Sequence, residues 1–129
     1  MHLLATQAGG FVDDDSIVAD LGQSPGDVLV LSAADSTLAL LAAAYEGLQS
    51  QWQDLPSLRL ANLMHLRQPA SVDLYIEQVL QHARVVVIDH LGGESYWPYG
   101  TERIREVCAE RGILLAMFSG DASEDPNLL

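Results

Sequence analysis

A chain of 129 residues with an apolar content of 49% is one domain in size and has the material for a packed core. Its net charge of −12 argues against nucleic acid or an anionic membrane surface as a partner. All six basic residues are arginine, which removes mechanisms that need a lysine, from P-loop phosphate binding to Schiff-base chemistry and the phosphoacceptor site of receiver domains.

Met1 to Gln7 has no basic start and too short an apolar part for a signal peptide. No apolar run approaches the ~20 residues of a membrane span. With Cys108 as the single cysteine there is no internal disulfide and no CxxC site, which fits a reducing, cytoplasmic setting.

In chain order, His2 to Ala8 is expected as a short first strand. Gly9 to Asp27 is loop-rich, with Asp13-Asp14-Asp15 at the start of a helical turn around Ser16 to Leu21. Those carboxylates suit a helix dipole better than a metal, because three adjacent ones cannot all face one ion unaided. Val28 to Leu31 predicts a buried strand that ends in a compact turn, Ser32 to Ser36, with oxygens ready to cap a helix. Leu38, Leu41, Tyr45, Leu48 and Trp52 then recur at spacings of three and four, predicting a helix to about Trp52 with this stripe in the core.

Ser57 to Leu63 predicts a strand whose polar interruptions point to an edge with one solvated face. Met64 to Pro69 is the expected connecting loop. Ser71 is the expected cap of the next helix, which buries Val72, Tyr75, Ile76, Val79, Leu80 and Ala83. Arg84 to Ile88 carries a run of β-branched residues and predicts a central strand. Gly92-Gly93 allows a sharp turn, Tyr96, Trp97 and Tyr99 follow, and a helix is expected from about Tyr99 to Arg111. Gly112 sits where a left-handed residue would close that helix, and Ile113 to Phe118 predicts the last strand.

Strands alternating with helices imply right-handed crossovers. The expected fold class is α/β, an open, mainly parallel sheet of about five strands with helices on both faces, flavodoxin- or Rossmann-like. Residues 1–120 form the expected single domain, and residues 121–129 a tail or linker. If the strand near 57 is an edge, the four helix-linked strands lie in the order second, first, third, fourth. The winding then reverses between Val28–Leu31 and Arg84–Ile88, where such sheets bind ligands.

That switch point selects the candidate ligand or interface loops: Ser32, Asp35 and Ser36 on one side, and His90, Gly92, Gly93, Glu94, Ser95, Tyr96, Trp97 and Tyr99 on the other. Backbone N–H groups at the glycines could hold an anion, and Trp97 or Tyr99 could stack on a flat ligand. The plainer alternative is a turn whose aromatics plug the end of the sheet. His2, His65, His82 and His90 fall in four different elements and form no metal-binding pattern. Cys108 is expected as an inert core thiol. No GxSxG elbow and no GxGxxG fingerprint is present, and no catalytic residue or metal ligand is assigned.

Five segments in order carry a resemblance: Asp20–Pro25, Leu31–Asp35, Pro56–Ala61, Leu91–Gly100, and Gly120-Asp121 through Asp125-Pro126. Together they resemble the amino-terminal region of the CobN and magnesium chelatase H-subunit family, large subunits of ATP-dependent chelatases. One departure falls at Asp89-His90, where the family pattern leads us to expect an arginine shortly before Leu-Gly-Gly; no anion-binding role is carried to this strand end. The resemblance implies insertion of cobalt(II) into hydrogenobyrinic acid a,c-diamide by a complex with two smaller ATPase-type subunits. ATP, magnesium and cobalt(II) would then serve the whole complex, with none bound by this segment. It further implies that this chain is about the first tenth of a large subunit, inactive alone, serving as scaffold, subunit contact or part of the tetrapyrrole cavity. The competing expectation is a stand-alone flavodoxin-like domain that binds a small flat anionic ligand at the two loops.

Overall fold

A computed structural model describes residues 21–90 and 97–119. The elements are β1 (Val28–Ser32), α1 (Asp35–Gln49), β2 (Leu58–Asn62), α2 (Pro69–Gln78), β3 (Val85–His90), α3 (Pro98–Arg111) and β4 (Leu114–Ser119). Short 3₁₀ turns at Leu63–Leu66 and Leu80–His82 flank α2. The sheet is all parallel, in the order β2-β1-β3-β4. This is the expected open α/β class and the expected strand order. The sheet has four strands among the described residues rather than about five; the strand expected at His2–Ala8 lies outside them, as do Asp13–Asp15, the turn from Ser16 to Asp20 and the 121–129 tail.

Strand register sorts the side chains into two faces, since partners in a parallel pair point the same way. Leu29, Leu31, Ala61, Val86, Ile88 and Met117 point to one face and join Val72, Tyr75 and Ile76 of α2 and Ile104, Val107 and Cys108 of α3 in one core. A buried side chain of this size contributes roughly 2 kcal/mol by leaving water. Val28, Val30 and Leu60 point to the other face, where α1 contributes the fully buried Leu38. Helices therefore flank both faces, α1 on one and α2 with α3 on the other.

Several local expectations change. α1 stops at Gln49, its last turns leave Leu48 exposed, and Trp52 beyond it is 62% exposed. Fifteen residues of helix span about 22 Å, whereas a five-residue strand spans about 17 Å, and the surplus overhangs the sheet. Tyr45 is half-buried and its hydroxyl donates to the Pro56 carbonyl at 2.6 Å instead of entering the core. No side chain caps α1, because Ser32 Oγ accepts from the Ala34 N–H instead. α2 and α3 begin on Pro69 and Pro98, where a missing N–H costs nothing, and Ser71 lies buried inside α2 rather than capping it.

The β2 strand is an edge among the described strands, but neither of its faces is solvated. Arg59 and Asn62 are both buried. Arg59 donates through Nε to the Ser24 carbonyl at 3.0 Å, through Nη1 to the Leu58 carbonyl at 2.8 Å, and through Nη2 to Ser24 Oγ at 3.2 Å. Gln23 Nε2 donates to the Leu60 carbonyl at 3.1 Å, where a neighbouring strand would otherwise bind. The segment ahead of β1 thus closes an edge that would otherwise recruit another chain.

Candidate functional site

The switch point falls between β1 and β3, whose carboxyl ends meet directly. Ser32 Oγ donates to Asp89 Oδ2 at 3.0 Å. On the other side of β1, Asn62 Nδ2 donates to Asp35 Oδ1 at 2.7 Å and to the Ala33 carbonyl at 3.4 Å, while its Oδ1 accepts from the Met64 N–H at 2.8 Å. Asn62, Ser32, Asp89 and Phe118 occupy one register row across the sheet. The row ends three consecutive strands in hydrogen-bonding side chains and ties the β1–α1 turn to the start of the segment after β2.

Of the residues selected from the sequence, Ser32 and Asp35 join this brace, and Ser36 is exposed in the first turn of α1. His90 points to the opposite face. It is fully buried, with Nε2 2.9 Å from Thr101 Oγ1 of α3, and makes a wall between strand and helix. Gly92, Gly93, Glu94, Ser95 and Tyr96 lie outside the described residues.

The two remaining aromatics do not fit the stacking role. Trp97 is 5% exposed, and its Nε1 donates to the Leu66 carbonyl at 3.0 Å. Its ring lies flush on Gly100: a Cβ added there would come within 2.1 Å of the indole. Trp97 therefore plugs the carboxyl end of the sheet, because a ring this large recovers more energy in the core than in water. Tyr99 is partly exposed, but its hydroxyl donates to the Asp73 carboxylate at 2.8 Å, on the outer side of the α2–α3 pair. That hydrogen bond raises its pKa, as does partial burial. Trp97 borders a concavity of about 280 Å³ shared with Leu63, Met64 and Arg67.

Sequence reasoning missed Asn62, Met64 and Arg67. Their position was accessible, since β2 ends on the same rim as β1 and β3. In the sequence the polar character of Asn62 reads instead as a mark of solvent.

Chemically, the rim offers two carboxylates, a serine hydroxyl and an amide, already engaged with one another. Ser32 has a carboxylate rather than an imidazole as acceptor, so it is braced rather than activated. Among the described residues no three His, Cys, Asp or Glu side chains gather to hold a metal ion. Cys108 is buried on α3, with its thiol pushed up to about 11 by burial, which keeps it protonated and inert. No helix among these residues is long and apolar enough to cross a membrane. The geometry is that of an internally braced rim.

No protein-family model matches the sequence. The chain is 53% identical over 128 residues to the aerobic cobaltochelatase subunit CobN of Pseudomonas aeruginosa, and 41% identical over 128 residues to that of a Sinorhizobium species. Each match covers 99% of this chain and 10% of the relative. Among solved structures, the catalytic subunit of cobaltochelatase from Mycobacterium tuberculosis is similar over 80% of this chain and 7% of its own, with 30% identity and a TM-score of 0.50. The chain thus spans about a tenth of the length of the curated relatives it matches, and over that span it is similar to CobN cobaltochelatase subunits.

Proposed function

We propose that these residues are the amino-terminal α/β domain of a cobaltochelatase large subunit. The complex would insert cobalt(II) into hydrogenobyrinic acid a,c-diamide, with two smaller ATPase-type subunits driving the cycle. ATP, magnesium and cobalt(II) belong to that whole assembly, cobalt as substrate. The observation that carries the reading is the identity of 53% across 99% of the chain to a subunit ten times longer.

The site supports a positioning role within it. Its polar groups are spent on bracing one another, and its large aromatics are spent on the core. This domain would hold a wall of the tetrapyrrole cavity or a subunit contact, while the inserting residues lie elsewhere in the long polypeptide. The purified 129-residue chain should then insert no cobalt when given the metal, the corrin precursor, ATP and magnesium. Insertion by this chain alone would overturn the reading. Calorimetry with corrinoids and porphyrins separates the competing stand-alone binder: saturable heat from the isolated chain would favour it.

A further inference from the structure

One face of the sheet is finished among the described residues and the other is not. Among the described residues α1 packs chiefly on β2 and β1, and its fully buried Leu38 lies on that side. The same face continues across β3 and β4 as the pairs Val85–Leu114, Val87–Ala116 and Asp89–Phe118. Leu114 is 71% exposed and Phe118 46% exposed, with Val85, Val87 and Ala116 half-buried. A parallel sheet normally buries both faces, which makes this strip an exception. At its amino end Val28, Val85, Leu114 and Pro56 line an open basin of about 530 Å³, with Arg84 and Arg111 beside them. Both arginines are exposed, and neither forms a hydrogen bond or ion pair through its side chain among the described residues, although the Asp27 carboxylate lies near Arg84.

We propose that this half-face seats one amphipathic helix supplied by the remaining polypeptide of the large subunit. The helix lies beside α1, antiparallel to the strands, with its carboxyl end at Arg84 and Arg111. The proposal rests on the reading given under Proposed function.

Dimensions favour a single helix. Two strands present a strip about 10 Å wide, the width of one helix with its side chains. A strand of six residues is about 20 Å long, which a helix of roughly 13 residues would cover. Charge sets the direction: the carbonyl end of a helix carries partial negative charge, and two arginines against the single Asp27 carboxylate stand at one end of the strip. Area sets the source. A strip of about 200 Å² falls well short of the ~800 Å² per partner of a stable dimer, whereas a tethered helix is held at high effective concentration. The matched relatives are ten times the length of this chain and can supply such a segment.

Hydroxyl-radical footprinting tests the proposal in two samples. One is the 129-residue chain; the other is a chimera in which it replaces the matched tenth of the Pseudomonas aeruginosa subunit. Leu114 and Phe118 should lose about tenfold in labelling rate in the chimera, as side chains do on passing from exposed to buried. Arg84→Glu combined with Arg111→Glu should restore part of the Leu114 labelling, by facing the helix end with like charge. Unchanged labelling in a chimera that still inserts cobalt overturns the docked helix and leaves the subunit reading intact. A folded chimera that inserts none, with Leu114 unprotected, overturns both. Concentration-dependent protection of Leu114 in the 129-residue chain alone makes a second copy the occupant, which also overturns the proposal.

Discussion

Asp27 joins two chain segments through one carboxylate. Its Oδ2 accepts from the Ser57 N–H and from Ser57 Oγ, both at 3.1 Å, while its own N–H donates to Ser57 Oγ at 2.8 Å. The backbone hydrogen bond from Ser57, then its hydroxyl, hold the carboxyl below the ordinary carboxylate value. A depressed folded pKa means the ionised form stabilises the fold. That contribution is present above the unfolded value of about 4 and is lost as pH falls through the lower folded one. Asp27→Asn should therefore melt below the wild type at pH 7, with the gap narrowing as the pH falls below the unfolded value of about 4. A gap of constant size across that range would show that the charge is irrelevant. Gly100 is constrained differently, by the indole of Trp97. Gly100→Ala should cost about 1–3 kcal/mol by overpacking, seen as a lowered denaturant midpoint with an unchanged slope. A neutral result would mean that Trp97 can leave its seat, and would reopen a ligand role for it.

Elements with a strong period were legible in the sequence. Val28–Leu31 and Arg84–Ile88 are apolar runs too short for helices, and both lie in the sheet interior. Gly112, at φ 69°, ends α3 where it was expected. What escaped is what depends on partners distant in sequence. Arg59 looks like a solvent marker in a strand, yet it is buried because Ser24 supplies two acceptors from 35 residues away. Trp52 keeps the period of the α1 stripe, but nothing in a period reveals that the sheet beneath is shorter than the helix. The candidate loops were legible as a location, because strand order alone defines a switch point. Their chemistry was not, because a sequence does not show which polar groups already satisfy each other. The closed β2 edge makes a prediction at this scale. Gln23→Ala removes the donor to the Leu60 carbonyl and the acceptor for the Tyr75 hydroxyl. It should destabilise by about 1–3 kcal/mol, leaving buried polar groups unsatisfied, and should speed amide exchange along β2 more than along β3. Equal acceleration in both strands would indicate a purely global effect.

At the scale of the fold, the sheet has, among the described residues, a carboxyl rim braced by Ser32, Asp35, Asn62 and Asp89, a filled core on one face, and a half-covered second face. A domain of this form suits the proposed place inside a larger polypeptide, with a polar rim that braces itself and a strip left for the proposed helix. The most direct test compares cobalt insertion by three forms of the Pseudomonas aeruginosa subunit, each supplied with the other subunits of the proposed complex: intact, lacking the tenth that this chain matches, and with the 129 residues in its place. Loss of insertion on deletion and its recovery in the chimera is the predicted result. Full insertion by the deleted form, or a folded chimera that stays inactive, would contradict the assignment of this chain to the working subunit.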